Sequence, residues 1–293
     1  MLGAIIGDIA GSTYEVKEVN ALKKGLKVSY EDRIKILNKD IPLFESNSSC
    51  TDDTILTSAV ADAIMNDGDF YKYIKEYATR EINLGLDKYG RSRFGSRFIG
   101  WVNGNQDNNS IGNGAAMRVS PIANYYNDLN TIIKKTTEST IVSHNTIEAV
   151  ISTITVSICI FLARNNYSKE AIKQVIEKIY NINFNLENLQ KNYKFSAVAS
   201  NSVPQAIYCF LISNDFEDSI RTAISIGGDS DTIAAITGSI SEAYYGIPNN
   251  IIEEANKYIP DYIKEVIDKF YKKENVKKLV KGNTYGGTSK KIN

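Results

Sequence analysis

The chain has 293 residues, 34 basic and 34 acidic side chains, a formal net charge of zero and 43% hydrophobic content. That balance supplies no electrostatic reason to expect a nucleic acid or membrane partner, and it is apolar enough to build a sizeable core. The three cysteines, Cys50, Cys159 and Cys209, are too few and too scattered for a disulfide framework or a zinc spacing.

Strand-like alternation is scarce along the chain and helical periodicity recurs. Residues 2–11 are apolar and carry Gly3, Gly7 and Gly11, which share one helix face and let another backbone come close. Asp8 and the short length argue against a membrane dimer motif there. The start lacks the basic residues and cleavage site of a secretory leader, so a cytoplasmic location is the expectation; a monomer is expected as well. Further helices are predicted over 54–66, 69–84, 115–126, 128–140, 146–163, 169–179, 202–213, 215–225, 232–245 and 249–272. Asp128, Ser168 and Asp215 precede three of these as N-caps, while Gly246 and Pro248 end another. Residues 89–114 are rich in Gly, Asn, Arg and Ser and read as a long loop, a kind of segment often given to function. The apolar run 149–163 falls short of the ~20 residues that span a bilayer and reads as a buried core helix. Residues 1–272 are thus expected to form one all-α domain, a compact orthogonal bundle with central buried helices. The Lys-rich residues 273–293 are expected to be a flexible tail.

Two segments place paired carboxylates and a threonine before a small-residue helix: Thr51-Asp52-Asp53-Thr54-Ile55 and Asp229-Ser230-Asp231-Thr232-Ile233. An aspartate before a helix is ordinarily an N-cap favoured by the helix dipole, which accounts for one carboxylate per helix. A second one adds repulsion and desolvation, and a bound cation relieves both. With a single histidine and no paired cysteines, the donors suit hard Mg²⁺ or Mn²⁺ rather than zinc or copper. Glu15, Asp52, Asp53, Asp229 and Asp231 are enough for two ions, which in two-metal sites lie about 3.5–4 Å apart. Taken alone, Glu15 reads as an ordinary surface glutamate. The turn Ile111-Gly112-Asn113-Gly114 running into Ala115-Ala116-Met117-Arg118 offers backbone N–H groups to a phosphate, but it is neither a Rossmann fingerprint nor a Walker loop. A lone histidine such as His144 is more often structural than catalytic.

Three segments together resemble the ADP-ribosylglycohydrolase family, which includes the dinitrogenase reductase-activating glycohydrolases. They are Gly7-Asp8-Ile9-Ala10-Gly11-Ser12 with Glu15, Thr51-Asp52-Asp53-Thr54, and Gly227-Gly228-Asp229-Ser230-Asp231-Thr232. Residues 112–118 and Ser143-His144 fall between them in order, so the resemblance covers nearly the whole chain to about Gly246. It implies an all-α fold with a binuclear Mg²⁺ or Mn²⁺ centre held by Thr51, Asp52, Asp53, Asp229, Asp231 and Thr232. Glu15 or Asp229 is implied as the catalytic acid or base. Ser110, Ile111, Gly112, Asn113, Gly114, Met117 and His144 are implied to bind substrate, the 110–114 loop at the diphosphate and His144 at the distal ribose. One departure is Ile111, since the position before Gly112 is often aromatic in the family. Phe94, Phe98 or Trp101 is then the candidate for stacking on adenine, although core packing is the commoner role for each.

The implied reaction is hydrolysis of the N- or O-glycosidic bond between ADP-ribose and an acceptor: a modified protein side chain or a small conjugate. Arginine, serine, a nucleobase and an acetyl ester are the candidate acceptors. Two other readings stand beside it. One is a two-metal hydrolase of another nucleotide or phosphoester. The other is a non-catalytic ADP-ribose-binding homologue, against which both intact acidic clusters argue.

Overall fold

The structure, a computed structural model, describes residues 1–87, 90–273 and 276. Among these the chain forms fifteen α-helices and no strand. In chain order they are α1 (Leu2–Lys23), α2 (Tyr30–Leu37), α3 (Asp52–Met65), α4 (Phe70–Leu84), α5 (Ser96–Val102), α6 (Ser120–Tyr125), α7 (Leu129–Ile141), α8 (Ile147–Arg164), α9 (Lys169–Ile176), α10 (Leu186–Asn192), α11 (Ala199–Ile212), α12 (Phe216–Ser225), α13 (Ser230–Tyr245), α14 (Asn249–Ala255) and α15 (Asp261–Tyr271).

The centre is the antiparallel pair α1 and α13, buried on all sides over Leu2–Tyr14 and Ser230–Ala243. A helix apolar or small all round belongs in the interior. The glycine face performs the close approach that its spacing predicts. A Cβ at Gly3 would stand 2.2 Å from the Gly238 carbonyl oxygen, one at Gly7 2.1 Å from that of Ala234, and one at Gly11 2.5 Å from the Asp231 Cα. The pairing runs in opposite directions along the two helices. It therefore carries the C-terminal half of α1, with Glu15, to the N-terminus of α13, where Asp229 and Asp231 sit.

Helix α8 packs against α7, α13, α11 and α6. It is the one helix among the described residues long and apolar enough to cross a membrane, with mean hydropathy 1.8 over 18 residues, and 56% of it is buried inside the fold. This matches the predicted core helix with one face left outside.

Departures from the predicted ranges follow from backbone chemistry. Residues 249–272 form two helices because Pro260 (φ −61°, ψ 147°) has no N–H to continue the ladder and sits extended. Residues 115–126 likewise divide: Asn113–Ala115 is a 3₁₀ turn, and α6 starts only at Ser120 with Pro121 in its first turn. The 89–114 segment is not all loop, because α5 inserts Trp101 and Val102 into the core. Helix α1 continues past Gly11 to Lys23, and the short polar helices α2 and α10 have no predicted counterpart. Apart from Lys273 and Val276, the expected Lys-rich tail lies outside the described residues.

Candidate functional site

The N-termini of α3 and α13 converge on the flank of α1. Asp8 organises the junction: its carboxylate accepts from the Thr51 N–H (2.9 Å), the Thr51 hydroxyl (2.7 Å), the Thr54 N–H (3.1 Å) and the Thr54 hydroxyl. It thereby caps α3 from another helix and fixes the Thr51-Asp52-Asp53 turn. On the other side, Gly227 and Gly228 both adopt φ +75°, a conformation that favours glycine. Beneath them the buried Arg33 donates to Glu18 and to the Gln190 and Ile226 carbonyls, pinning the turn that delivers Asp229. The Asn113 amide then donates to Asp229 at 2.6 Å and to Ser202 Oγ at 3.0 Å, tying the glycine turn to the acidic cluster.

Two triads of carboxylates result, Asp8/Asp53/Asp231 and Glu15/Asp229/Asp231. Within each, one oxygen from every member lies within 4.8 Å of the others, and Asp231 belongs to both. The electrostatic consequence is uniform. The charge of Asp231, then burial, pushes Glu15 up to about 9. Burial, then the charges of Asp8 and Glu15, pushes Asp52 up to about 8. Burial, then Glu15, raises Asp229 to about 7 against the opposing Asn113 hydrogen bond. Asp8 is raised by burial to about 6, held down by its threonine donors. Asp53 and Asp231 are raised well above the usual range by burial and by their acidic neighbours. One oxygen of Asp53, Oδ1, is buried without a hydrogen-bond partner among the described residues. Anionic oxygens concentrated this way, one of them orphaned, with no imidazole among them, fit hard divalent cations.

The linkage predicts a measurable pH effect. These carboxyls hold protons in the folded protein that the unfolded chain, with pKa values of about 4, has released. The folded state therefore binds more protons, and stability falls as pH rises through the folded values. His144 acts oppositely below about pH 6.5, and the buried Met1 amine and Lys169, the latter lowered by burial to about 8, oppose within the window, but the six raised carboxyls outnumber them. The melting temperature of chelator-treated protein should drop between about pH 6.5 and 9, and Mg²⁺ or Mn²⁺ should raise it more at the alkaline end. Differential scanning fluorimetry across that range checks this. A flat profile unaffected by either ion would contradict the cation fit.

The acidic cleft has a volume of about 320 Å³ and is lined by Glu15, Thr51, Asp52, Asp53, Asn113, Gly114, Met117, Asp229, Asp231 and Thr232. It adjoins a second cavity of about 350 Å³ that shares Asp52, Gly95, Asn113, Gly114, Met117 and Ala197 and is lined further by Ser110, Ile111, Gly112, His144, Phe98, Trp101 and Arg118. Every residue implied from sequence to hold metal, bind substrate or act in catalysis therefore lines one or both of two adjoining cavities. The glycine turn is anchored on its outer side: the Gly112 N–H donates to Ser110 Oγ (3.1 Å) and the Asn113 N–H to the Ala197 carbonyl (2.9 Å). Those two N–H groups are thus engaged, unlike the free donors expected at this turn. Of the three aromatic candidates, Phe94 and Trp101 are buried in the core. Phe98 lies half-buried between them, with ring centroids 5.3 Å from each.

The structure adds residues that sequence reading passed over. Asp8 stands in the sequence within a family-like segment but without a role of its own, and locally it reads as a lone acid in an apolar helix, the signal that marks it. Arg118 is completely buried in the cavity wall, and its Nε and Nη1 have no hydrogen-bond partner among the described residues.

Comparison with known proteins agrees with this architecture. Residues 1–279 match the family model described as ADP-ribosylglycohydrolase. The chain is 24% identical to ADP-ribosylarginine hydrolase Tri1 of Pseudomonas putida over 301 residues, covering 92% of this chain and 77% of that protein. It is 28% identical to an uncharacterized protein of Archaeoglobus fulgidus over 176 residues, 54% of this chain and 57% of that one, so this match spans just over half of the archaeal relative. ADP-ribosylhydrolase ARH3 of Homo sapiens is 48% identical over 60 residues, 17% of this chain and 16% of that protein. A solved structure described as an ADP-ribosylglycohydrolase-related protein complex superposes with a TM-score of 0.62 at 19% identity, covering 92% of this chain and 96% of its own, a likeness of fold. With a family match running from its first residue through its last described helix, the chain belongs to the ADP-ribosylglycohydrolase family.

Proposed function

We propose that the protein hydrolyses the glycosidic bond between ADP-ribose and an acceptor, using two Mg²⁺ or Mn²⁺ ions held by Thr51, Asp52, Asp53, Asp229, Asp231 and Thr232, with Asp8 behind them. The observation that carries this reading is that the carboxylate cleft shares wall residues with a cavity walled by a glycine turn and aromatic rings. A charged reaction centre and a nucleotide-sized compartment adjoin. The names of the relatives point the same way.

Bound ions of this kind supply positive charge that orients ribose hydroxyls and makes a water more acidic. The rest is the work of the chain. Glycoside cleavage builds positive charge on the anomeric carbon, and the carboxylates around the cleft would offset the charge of bound ions so that this carbon is not strongly repelled. Glu15 lines the acidic cleft and not the aromatic cavity, beside Asp87 and Arg91, where the acceptor would leave. That placement supports Glu15 as donor of the proton to the departing atom. Asp229 also lines only the acidic cleft, but it accepts from Asn113, a residue that both cavities share, and this supports it in orienting the ribose and receiving a proton from water. The buried guanidinium of Arg118 adds positive potential to the wall against which the diphosphate would lie. Adenine would stack on Phe98. Phe98→Ala should therefore raise KM about 2- to 10-fold while leaving kcat within about 2-fold, as expected for loss of one aromatic stacking contact. Steady-state kinetics on an ADP-ribosylated peptide reads this out.

The deciding experiment is release of ADP-ribose from a panel of arginine-, serine-, nucleobase- and acetyl-linked conjugates, with Mg²⁺ and with Mn²⁺. Free nucleotides and simple phosphoesters run alongside. Metal-dependent release from at least one conjugate is expected. Turnover of the phosphoesters alone would replace the reading with a two-metal phosphohydrolase.

A further inference from the structure

We propose that Arg118 and Ser143 are positioning residues that fix His144 as a neutral imidazole with its proton on Nε2, aimed as a hydrogen-bond donor into the aromatic cavity. The tautomer follows from hydrogen-bond chemistry alone, and only the identity of the oxygen it meets rests on the ADP-ribose reading.

The argument starts from a donor that cannot accept. Arg118 Nη2 donates to Ser143 Oγ at 2.9 Å and to the Ser139 carbonyl at 3.1 Å. A guanidinium has only N–H groups, so Ser143 Oγ must accept there. The hydroxyl keeps one proton to give, and its remaining neighbour is His144 Nδ1 at 2.8 Å. If Nδ1 carried the imidazole proton, the hydroxyl hydrogen of a side chain only 3% exposed would be left without an acceptor, which is strongly disfavoured. Nδ1 therefore accepts and Nε2 bears the proton. The buried cation at the head of the chain polarises each bond toward the ring. Burial, together with the positive charges of Arg118 and Arg97, holds the imidazolium form well below its usual range, so the ring stays neutral.

The outward nitrogen then faces the glycine turn. A Cβ built on Gly114 would lie 3.1 Å from Nε2 and one on Gly112 3.6 Å, so the two missing side chains leave that edge of the ring clear. A neutral Nε2–H cannot take a proton from a substrate. It suits an oxygen acceptor, a ribose hydroxyl or a phosphate oxygen, and this makes His144 a binding group rather than a base.

His144 is the only histidine in the chain, so its imidazole nitrogens give a single set of long-range ¹H–¹⁵N correlations with no assignment problem. The expected wild-type spectrum shows a protonated Nε2 and an unprotonated Nδ1, with the Nε2–H signal moving when ADP-ribose is added. Ser143→Ala removes the donor to Nδ1 and should mix the two tautomers, with KM for an ADP-ribose conjugate rising about 3- to 10-fold. Ser143→Thr, which keeps the hydroxyl, should restore the wild-type pattern. A protonated Nδ1 in the wild type, or a Ser143→Ala spectrum identical to it, overturns the relay, and the wild-type spectrum decides this whether or not the variants fold. A correct tautomer whose Nε2–H ignores saturating ADP-ribose overturns the donor role. Failure of the hydrolytic reading would appear instead in the release panel, with the tautomer unchanged.

Discussion

Asp229→Asn and Asp52→Asn are each expected to lower ADP-ribose release by at least about 10²-fold, the scale of losing one positioned acid–base or cation-holding group, while the protein stays folded. Both side chains line the acidic cleft, and both have raised pKa values because of burial and neighbouring carboxylates. Neutralising either therefore relieves repulsion. The chelator-treated variants should melt no lower than the wild type, and at alkaline pH higher, yet gain less from added Mn²⁺. Single-turnover release and thermal melts with and without the ion test both halves together. A variant that simply misfolds would melt lower under all conditions, and retained turnover in both variants would remove these aspartates from the mechanism.

Gly7→Ala should be among the most damaging single-methyl changes in the molecule. The added Cβ would stand 2.1 Å from the Ala234 carbonyl oxygen and 2.7 Å from the Ala235 nitrogen, both backbone atoms that move only with the whole of α13. Overpacking a tight interior costs about 1–3 kcal/mol and more where backbone must shift. At about 2–4 °C per kcal/mol, a fall in melting temperature of roughly 10 °C is expected. Since Asp8 adjoins Gly7 and Glu15 lies two turns on, separating α1 from α13 should also weaken stabilisation by Mn²⁺. Gly95→Ala is the control, because a Cβ there meets nothing within 4 Å and its φ is −65°. Equal melting temperatures for the two variants would show that the glycine face is not what sets the helix spacing.

The glycine face and the two Thr/Asp clusters were legible because each is local. Four-residue spacing defines a helix face, and paired carboxylates before a helix exceed what one N-cap needs. Their convergence was legible only through resemblance. The bonds that build it, Asp8 to Thr51 and Thr54 or Asn113 to Asp229, join residues 43, 46 and 116 positions apart. Asp8 is the instructive case: within an apolar run it reads as an interruption, and its donors come from another helix start. The Arg118–Ser143–His144 chain is hidden for the same reason, since Ser143 and His144 stand in one segment and Arg118 ends another 25 positions away. The helix boundaries at Pro260 and Pro121 fell to local chemistry that the apolar periodicity on both sides obscured. The short helix α5 was masked by the Gly- and Arg-rich composition around it, though Phe98, Trp101 and Val102 carry its apolar side.

The central claim is that acidic side chains from two helix starts and from the flank of a third helix cage two hard cations beside a nucleotide compartment. Anomalous diffraction from crystals soaked in MnCl₂ tests it most directly. The account predicts two manganese peaks in the acidic cleft, both touching Asp231, one toward Asp53 and the other toward Asp229 and Glu15. A cleft without manganese, with those carboxylates bonded only to their own helix N-termini, would contradict it.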